Sequence, residues 1–331
     1  MPSEGMILIG LVVILALAFD YVNGFHDTAN AIATSVSTKA LSPRLAILVS
    51  TVFNFVGALV GTKVASTIGK GIIPPEIATP KVLIAALIAA IAWNIITWYF
   101  GIPSSSSHAL IGGITGSVIG AVGFDVVKWS GFGKIMLGLI ISPILGLAVG
   151  SIMMTLLFWL VRRKSPAKIN NGFRVLQIFS AILMSFSHGT NDAQKSMGVI
   201  SMVLLSSGVI STFHIPLWVK IACAAAMAFG TMAGGWKIIR TMGGKIFKIE
   251  PINGFASDLS ASIVINAATF LGAPVSTTHV VSSSIMGVGA AKRLKGVRWG
   301  IAQTIVTAWV VTIPTSGLIA ALISKAITVL S

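Results

Sequence analysis

Charged side chains are scarce in this chain of 331 residues, because Asp, Glu, Lys and Arg together make up only 9% of it. Soluble domains carry about 25% charged residues, so a soluble globular protein with a surface of ordinary polarity is excluded. The 55% of hydrophobic residues excludes a disordered chain. The single cysteine, Cys223, excludes an internal disulfide and a cysteine-ligated metal site. The composition therefore predicts an integral membrane protein.

Acidic residues are rarer still, with 8 against 23 basic residues and a net charge of +15. Such an excess would fit a nucleic-acid-binding protein if it formed one continuous face. Most of the basic residues instead fall in short clusters between long uncharged runs, which is typical of loops at an anionic cytoplasmic surface. We therefore expect a lipid bilayer, and no nucleic acid, as partner.

The uncharged runs approach or exceed the roughly 20 residues that cross a bilayer as a helix. They cover 45–62, 82–124, 135–161, 196–219, 221–236, 259–291 and 299–324. We read the N-terminal apolar run as a first span and not as a cleaved signal peptide, because no basic residue precedes it. If the basic segment 162–174 is cytoplasmic, the basic clusters at 39–44, 237–248 and 292–298 fall on the same side. The sequence thus predicts an all-α polytopic membrane protein with about ten spans and both termini outside.

The chain also repeats itself. Residues 24–28 (GFHDT) match residues 189–193 (GTNDA), and residues 101–108 (GIPSSSSH) match residues 272–279 (GAPVSTTH), in the same order. In the predicted topology the matching segments run in opposite directions. We therefore expect two inverted repeats, 1–161 and 175–331, joined by the short basic linker 162–174. Inverted repeats are typical of secondary transporters with a midplane site formed by broken helices.

Asp27 and Asp192 lie inside hydrophobic segments, where an ionised carboxylate costs a few kcal/mol. One explanation is structural: the backbone, or Lys195 three residues after Asp192, satisfies the carboxylate. The alternative is that both carboxylates bind a small hard cation, with sodium as first choice, because oxygen ligands suit such ions. Further oxygens for this cation would come from Asn23, Thr28, Asn30 and Asn191.

The runs 103–107 and 274–278 combine a proline with Ser or Thr residues and predict helix starts. A flexible serine-rich linker is the alternative, which apolar flanks disfavour. Two such starts entering from opposite sides would direct amides and hydroxyls at one anion such as phosphate. We expect no organic cofactor. His108 and His279 follow the two runs and have either a structural or a proton-carrying role, while Asp258 and Asn54 either add cation ligands or, for Asp258, mark a helix end.

The sequence resembles the inorganic phosphate transporter (PiT) family through GFHDTANAIAT (24–34), SHGTNDAQKSMG (187–198), PSSSSH and PVSTTH. The resemblance implies symport of inorganic phosphate with sodium or protons, two broken signature helices, two re-entrant hairpins and a homodimer. The predicted sodium ligands are Asp27, Asp192, Asn23, Thr28, Asn191, Ser105 and Thr277. The predicted phosphate-binding residues are Ser104, Ser105, Ser106, Ser276, Thr277, Thr278, Asn30 and Gln194. The second signature departs from the first by carrying Gln194 and Lys195 where the first has Ala29 and Asn30.

Our leading hypothesis is a sodium-coupled phosphate importer of the cytoplasmic membrane. A closely related alternative keeps the fold and uses protons, or carries a neutral metal–phosphate complex with a proton. An intramembrane serine hydrolase built on Ser107, His108 and Asp27 is a rival of another class. Adjacent helical residues do not face each other, so we expect a transporter and not an enzyme.

Overall fold

The computed structural model describes residues 4–330, and within this range the chain is all-helical. The helices are α1 Glu4–Ser37, α2 Pro43–Ala58, α3 Lys63–Gly71, α4 Pro80–Phe100, α5 Ser106–Ala121, α6 Trp129–Val161, α7 Pro166–Ser206, α8 Leu217–Ala233, α9 Trp236–Arg240, α10 Pro251–Phe270, α11 Thr277–Lys292 and α12 Trp299–Leu330. A π-helical turn, Thr241–Lys245, continues α9.

The order of helices in α1–α6 recurs in α7–α12. Each half has a long signature helix, a bent pair, a helix of 20 or 21 residues, a helix of 16 residues and a final long helix. Even the internal prolines correspond, since Pro143 lies in α6 and Pro314 in α12. This recurrence follows from the two pairs of matching motifs, which fall at the same places in both halves.

Within residues 4–330, four helices are long and apolar enough to cross a membrane, namely α1, α4, α6 and α12, and the number becomes six if each bent pair counts as one span. The 41-residue α7 and the 20-residue α10 are not among these helices, and both carry buried polar residues such as Asp192 and Asp258. The figure of about ten spans therefore stays a prediction. The outer surface is apolar, with Ile144 62% and Leu322 62% exposed, as contact with lipid requires.

The predicted break in the signature helices is wrong, because α1 and α7 are continuous through residues 24–28 and 189–193. No proline interrupts either signature, and the signature glycines serve close packing. A Cβ on Gly24 would collide with the Met227 carbonyl of α8, and one on Gly189 with the Asn54 carbonyl of α2. The bends lie elsewhere, at 67° between α2 and α3 and at 62° between α8 and the segment 236–245.

Helices of the two halves pack against each other: α5 lies on α12, α11 on α6, α2 on α7, and α8 on α1. Small residues permit the closest approaches. Gly116 of α5 faces the backbone of Gly317, and Gly287 of α11 faces the backbone of Leu147. Interfaces of this kind depend on small side chains, because lipid supplies no hydrophobic drive for helix association.

The turn after α10 is held by α3. Lys63 Nζ donates to the Phe270 carbonyl at 3.0 Å, and Thr67 Oγ1 donates to the Gly272 carbonyl at 2.7 Å. Gly272 has a positive φ of 74°, which glycine adopts without strain. These bonds satisfy carbonyls at the end of α10 that have no partner within the helix. We call this set the Lys63 contact.

The turn after α4 is held in the same way by α9 and the π-helical turn that continues it. Lys237 Nζ donates to the Tyr99 carbonyl at 2.9 Å, and Thr241 Oγ1 donates to the Gly101 carbonyl at 2.9 Å. Gly101 likewise has a positive φ, of 66°. We call this set the Lys237 contact. Each bent pair thus holds a turn in the other half of the chain. The pair α2–α3 holds the turn before α11, and the pair of α8 with segment 236–245 holds the turn before α5.

Candidate functional site

The signature helices α1 and α7 bring Asp27 and Asp192 together in the interior. With His188, they form a group whose ligand atoms all lie within 4.8 Å of one another, and all three side chains are buried. The two carboxylates are 165 positions apart in sequence, one in each matching motif. Two acids and a histidine at this spacing have the donor atoms and separation of a cation site.

The Asp27 carboxylate receives hydrogen bonds from both short helices. Ser106 Oγ of α5 donates to Oδ2 at 2.9 Å, and Thr278 Oγ1 of α11 donates to Oδ1 at 3.1 Å. His26 Nδ1 lies 2.6 Å from Oδ1. The other His26 nitrogen contacts Thr97 Oγ1 at 3.1 Å. Asp27 therefore links its own helix to the starts of α5 and α11.

The Asp192 carboxylate has a different set of partners. Thr277 Oγ1 donates to Oδ2 at 3.1 Å, and Lys195 Nζ lies 2.8 Å from Oδ1. The ion pair expected as a structural explanation is thus present at Asp192. His188 Nε2 lies 3.4 Å from Oδ2. One carboxylate of the pair has a lysine partner, whereas within residues 4–330 no lysine or arginine forms an ion pair with Asp27.

His188 is held in a defined orientation by α2. Its Nδ1 lies 3.1 Å from Asn54 Oδ1, while Asn54 Nδ2 donates to Thr231 Oγ1 at 3.1 Å. Because an amide oxygen only accepts, Nδ1 donates the hydrogen bond in this contact, and Nε2 is turned towards Asp192. Asn54 therefore acts on the site through His188, and its oxygen is not free to bind an ion.

The two predicted helix starts are confirmed, and the flexible linker is excluded. Ser105 precedes α5 and accepts from the His108 amide at 3.2 Å, and Ser276 precedes α11 and accepts from the His279 amide at 3.2 Å. The two starts meet, since Ser107 Oγ donates to the Val275 carbonyl at 3.1 Å. The positive ends of both helix dipoles therefore converge beside the carboxylates.

Asn30 joins the first signature helix, α1, to the start of α11. Its Nδ2 donates to Thr277 Oγ1 at 3.3 Å and to Thr278 Oγ1 at 3.0 Å. Among the predicted cation ligands, several amide oxygens are buried without a hydrogen-bond partner in the described range. These are the side-chain oxygens of Asn23, Asn30 and Asn191. A buried amide oxygen without a partner costs about 1–3 kcal/mol, so these oxygens fit the coordination of a cation.

Other predicted residues have their own structural partners. Thr28 Oγ1 donates to the Gly24 carbonyl at 2.5 Å, which keeps the hydroxyl on its own helix. Ser104 Oγ donates to Thr97 Oγ1 at 2.7 Å and lies 3.3 Å from His26 Nε2. Both hydroxyls stay buried in the interior.

Gln194 does not contact this cluster. Its Oε1 accepts from the backbone amides of Val64 at 2.9 Å and Ala65 at 3.2 Å, and its Nε2 donates to the Thr190 carbonyl at 2.7 Å. Thr62, which precedes α3, makes no side-chain cap. Gln194 therefore supplies the missing cap of α3 from a distant helix, and the contacts give no support to its predicted phosphate-binding role.

Sequence reasoning did not place His26 or His188 in the site. A usable signal was present for His188, which lies four residues before Asp192 and therefore on the same helix face.

The expectation that Asp258 marks a helix end is wrong, because it lies inside α10 and accepts from Thr34 Oγ1 at 2.8 Å and Ser180 Oγ at 3.3 Å. Another buried acid, Asp20 of α1, accepts a hydrogen bond from Ser196 Oγ of α7 at 2.7 Å.

The predicted histidines His108 and His279 lie just behind the helix starts. His108 Nδ1 is 2.8 Å from Ser105 Oγ, and its ring stands 4.4 Å from that of His279. His279 in turn stacks on Trp309 with ring centroids 4.0 Å apart. This stack ties the starts of α5 and α11 to α12.

Long apolar helices around a buried core of carboxylates, amides and hydroxyls define a multi-pass membrane transport protein. Residues 23–320 match the model of the phosphate transporter family. The chain belongs to that family, as its resemblance to the PiT family led us to expect, and it is a transporter and not an enzyme.

Individual relatives cover nearly the whole chain. A probable low-affinity inorganic phosphate transporter of Bacillus subtilis (strain 168) is 54% identical over 320 residues, 96% of either chain. One of Rhizobium meliloti (strain 1021) is 50% identical over 318 residues, covering 96% of this chain and 95% of the relative. A solved structure of a sodium-dependent phosphate transporter matches with a TM-score of 0.88 at 27% identity, covering 98% of this chain and 100% of that one.

Proposed function

We propose that this protein imports inorganic phosphate across the cytoplasmic membrane by symport with sodium ions, through alternating access. The observation that carries the proposal is the meeting of Asp27 and Asp192, one from each matching motif, beside the starts of α5 and α11. The names of the two bacterial relatives support inorganic phosphate as substrate. The name of the matching structure supports sodium as the coupled ion.

In this proposal the two halves, 1–161 and 175–331, are inverted repeats joined by the linker 162–174. The recurring helix order and the symmetric pairing of α5 with α12 and α11 with α6 support it. A helix of 16 residues is about 24 Å long, shorter than the ~30 Å hydrocarbon core. The helices α5 and α11 then form the inner arms of two re-entrant hairpins, with about ten spans elsewhere and both termini outside. A homodimer follows from the family resemblance, and light scattering of the solubilised protein tests it.

Phosphate would bind where the two helix starts converge. Backbone amides and hydroxyls there would bind the anion. The residues we assign to it are Ser104, Ser105, Ser106, Ser276, Thr277, Thr278 and Asn30. Sodium would bind to Asp27 and Asp192 with oxygens from Asn23, Thr28, Asn191, Ser105 and Thr277. We omit Gln194, because both ends of its amide are bonded to the backbone.

Coupling would follow from charge. Two buried carboxylates repel an anion at close range in a medium of low polarity, so phosphate binds poorly until a cation offsets them. Asp27 is 2% exposed and Asp192 fully buried, so ligands reach them only when helices move. Movement of one hairpin at a time would give access from one side of the membrane and then from the other.

A second candidate is coupling to protons, or transport of a metal–phosphate complex with a proton. His26 Nδ1 and Asp27 Oδ1 lie 2.6 Å apart, and a hydrogen bond of this length holds a proton between the two atoms. This contact supports the proton candidate. The group formed by Asp27, His188 and Asp192 also offers nitrogen and oxygen donors of the kind that divalent transition metals accept. Sodium has little affinity for imidazole nitrogen, so this candidate makes different use of His188.

The deciding experiment is uptake of radioactive phosphate into proteoliposomes with the internal and external pH clamped. We expect an inward sodium gradient to stimulate uptake over a potassium gradient of the same size. If a sodium gradient does not stimulate uptake but an imposed pH gradient does, the proton candidate is correct. Vesicles with the exposed-site variant Asp125→Asn serve as the matched control for reconstitution.

A further inference from the structure

The two signature helices differ at one position that bears a charge. Lys195 follows Asp192 by three residues, and Asn30 follows Asp27 by three residues. Asn30 donates to the hydroxyls of Thr277 and Thr278. The chain therefore places a permanent cation in the second repeat where the first has a neutral amide.

The lysine ammonium occupies the place that a bound cation would take on Asp192. Its Nζ lies 2.8 Å from Oδ1, and the Lys195 side chain is only 1% exposed. The contact is an ion pair without hydrogen-bond alignment, and neither Nζ nor Oδ1 makes a hydrogen bond within the part of the chain that the structure describes. The ammonium and a sodium ion carry the same single charge, and both are held by carboxylate oxygen.

The first repeat has no such built-in cation. Asp27 receives hydroxyl donors from Ser106 and Thr278 and contacts His26, and among residues 4–330 no lysine or arginine pairs with it. The oxygen of Asp192 that does not contact Lys195, Oδ2, lies 3.4 Å from His188 Nε2, and Asp192 forms the 4.8 Å group with Asp27 and His188. One exchangeable cation can therefore bridge Asp27 and Asp192 Oδ2 while Lys195 stays on Oδ1.

We propose that Lys195 is a fixed, built-in counter-ion that replaces one exchangeable cation, so the protein carries one coupled cation fewer per phosphate than it would with asparagine at position 195. This rests on the proposed cation-coupled phosphate transport and specifies its stoichiometry. A covalently attached cation neutralises Asp192 in every conformation, whereas a bound sodium ion is released at the end of each cycle. The lysine also has N–H donors beyond the ion pair, which are available to a phosphate oxygen.

The test is Lys195→Asn in the full-length protein, which restores the residue type of the first repeat. Phosphate uptake and the accompanying charge are measured together in proteoliposomes at clamped membrane potential. We expect the variant to move one more positive charge per phosphate than the wild type does, whether the coupled ion is sodium or a proton. Lys164→Asn, which removes an exposed lysine, should leave the ratio unchanged.

If Lys195→Asn folds but does not transport phosphate, a binding measurement tests the proposal instead. Radioactive sodium bound per chain is counted in detergent, and Lys195→Asn should hold one sodium ion more than the wild type. An unchanged charge ratio overturns the proposal, and so does an inactive folded variant that binds no additional sodium when wild-type uptake is stimulated by sodium. Failure of the sodium assignment looks different: wild-type uptake is then indifferent to sodium, while the charge ratio of the variant still rises by one.

Discussion

Ser106 Oγ donates a hydrogen bond to Asp27 Oδ2 at 2.9 Å, and the equivalent Thr277 Oγ1 donates to Asp192 Oδ2 at 3.1 Å. Each short helix thus presents its first hydroxyl to the carboxylate of its own repeat. Thr278 departs from this symmetry by crossing to Asp27. The carboxylates and the helix starts are therefore parts of one hydrogen-bonded unit, in which a change at the cation site reaches the anion site directly.

Replacement of either carboxylate should abolish coupled uptake, because an amide supplies no negative charge to a cation. The two variants should differ in stability. Asp27→Asn removes no lysine or arginine pair, whereas Asp192→Asn leaves Lys195 buried and unpaired, which costs about 3–5 kcal/mol. We expect a clearly lower melting temperature only for Asp192→Asn, with Asp125→Asn as the reference. Wild-type cation dependence of uptake in Asp27→Asn would reject its role as a ligand.

The Gln194 cap should matter for structure more than for phosphate. Gln194→Ala removes the acceptor for two amides at the start of α3, a loss of about 1 kcal/mol for a helix cap. Hydrogen exchange at Val64 and Ala65 should become roughly fivefold faster, while the phosphate concentration for half-maximal uptake stays the same. Gln303→Ala, on the exposed face of α12, is the control. A large rise in that concentration without faster exchange would reinstate Gln194 as a phosphate ligand.

The signature glycines should tolerate no side chain. Gly24→Ala and Gly189→Ala each drive a methyl group into the backbone of a neighbouring helix, and overpacking costs about 1–3 kcal/mol. Gly10→Ala and Gly172→Ala are matched controls on the same two helices, because open space surrounds both positions. The controls should be neutral or more stable, since alanine favours a helix over glycine by about 0.5–1 kcal/mol. Thermal unfolding in detergent decides, and equal melting points for all four variants would exclude a packing role.

The Lys63 and Lys237 contacts should act on separate turns. Lys63→Ala removes a donor from the Phe270 carbonyl, and Lys237→Ala removes one from the Tyr99 carbonyl. Partly exposed contacts of this kind are worth no more than about 1 kcal/mol. Hydrogen exchange should therefore speed up at residues 270–276 in the first variant and at 99–105 in the second. Faster exchange at both turns in either variant would mean that the two contacts open together.

Several features could be read from the sequence because they depend on nearest neighbours or on simple spacing. The low share of charged residues predicted that the outer surface faces lipid. The matching motifs predicted that the order of helices is repeated. Ser105 and Ser276 were recognisable as helix caps, since a cap depends on the amides of the next few residues. The ion pair between Asp192 and Lys195 follows from their three-residue spacing on a helix.

Other features depend on which helices pack together, and only the tertiary structure decided them. Thr278 bonds to Asp27 from 251 positions away, and Gln194 caps a helix 130 positions earlier. No local period encodes such distances. The continuity of the signature helices was missed for the same reason: Asp27 and Asp192 receive hydrogen bonds from α5 and α11, so these carboxylates find partners without a break in the backbone. The sequence by itself determined which charges lie in the membrane and which carboxylate has a lysine three residues away, whereas the packing of the two halves decided that both carboxylates meet beside the starts of α5 and α11.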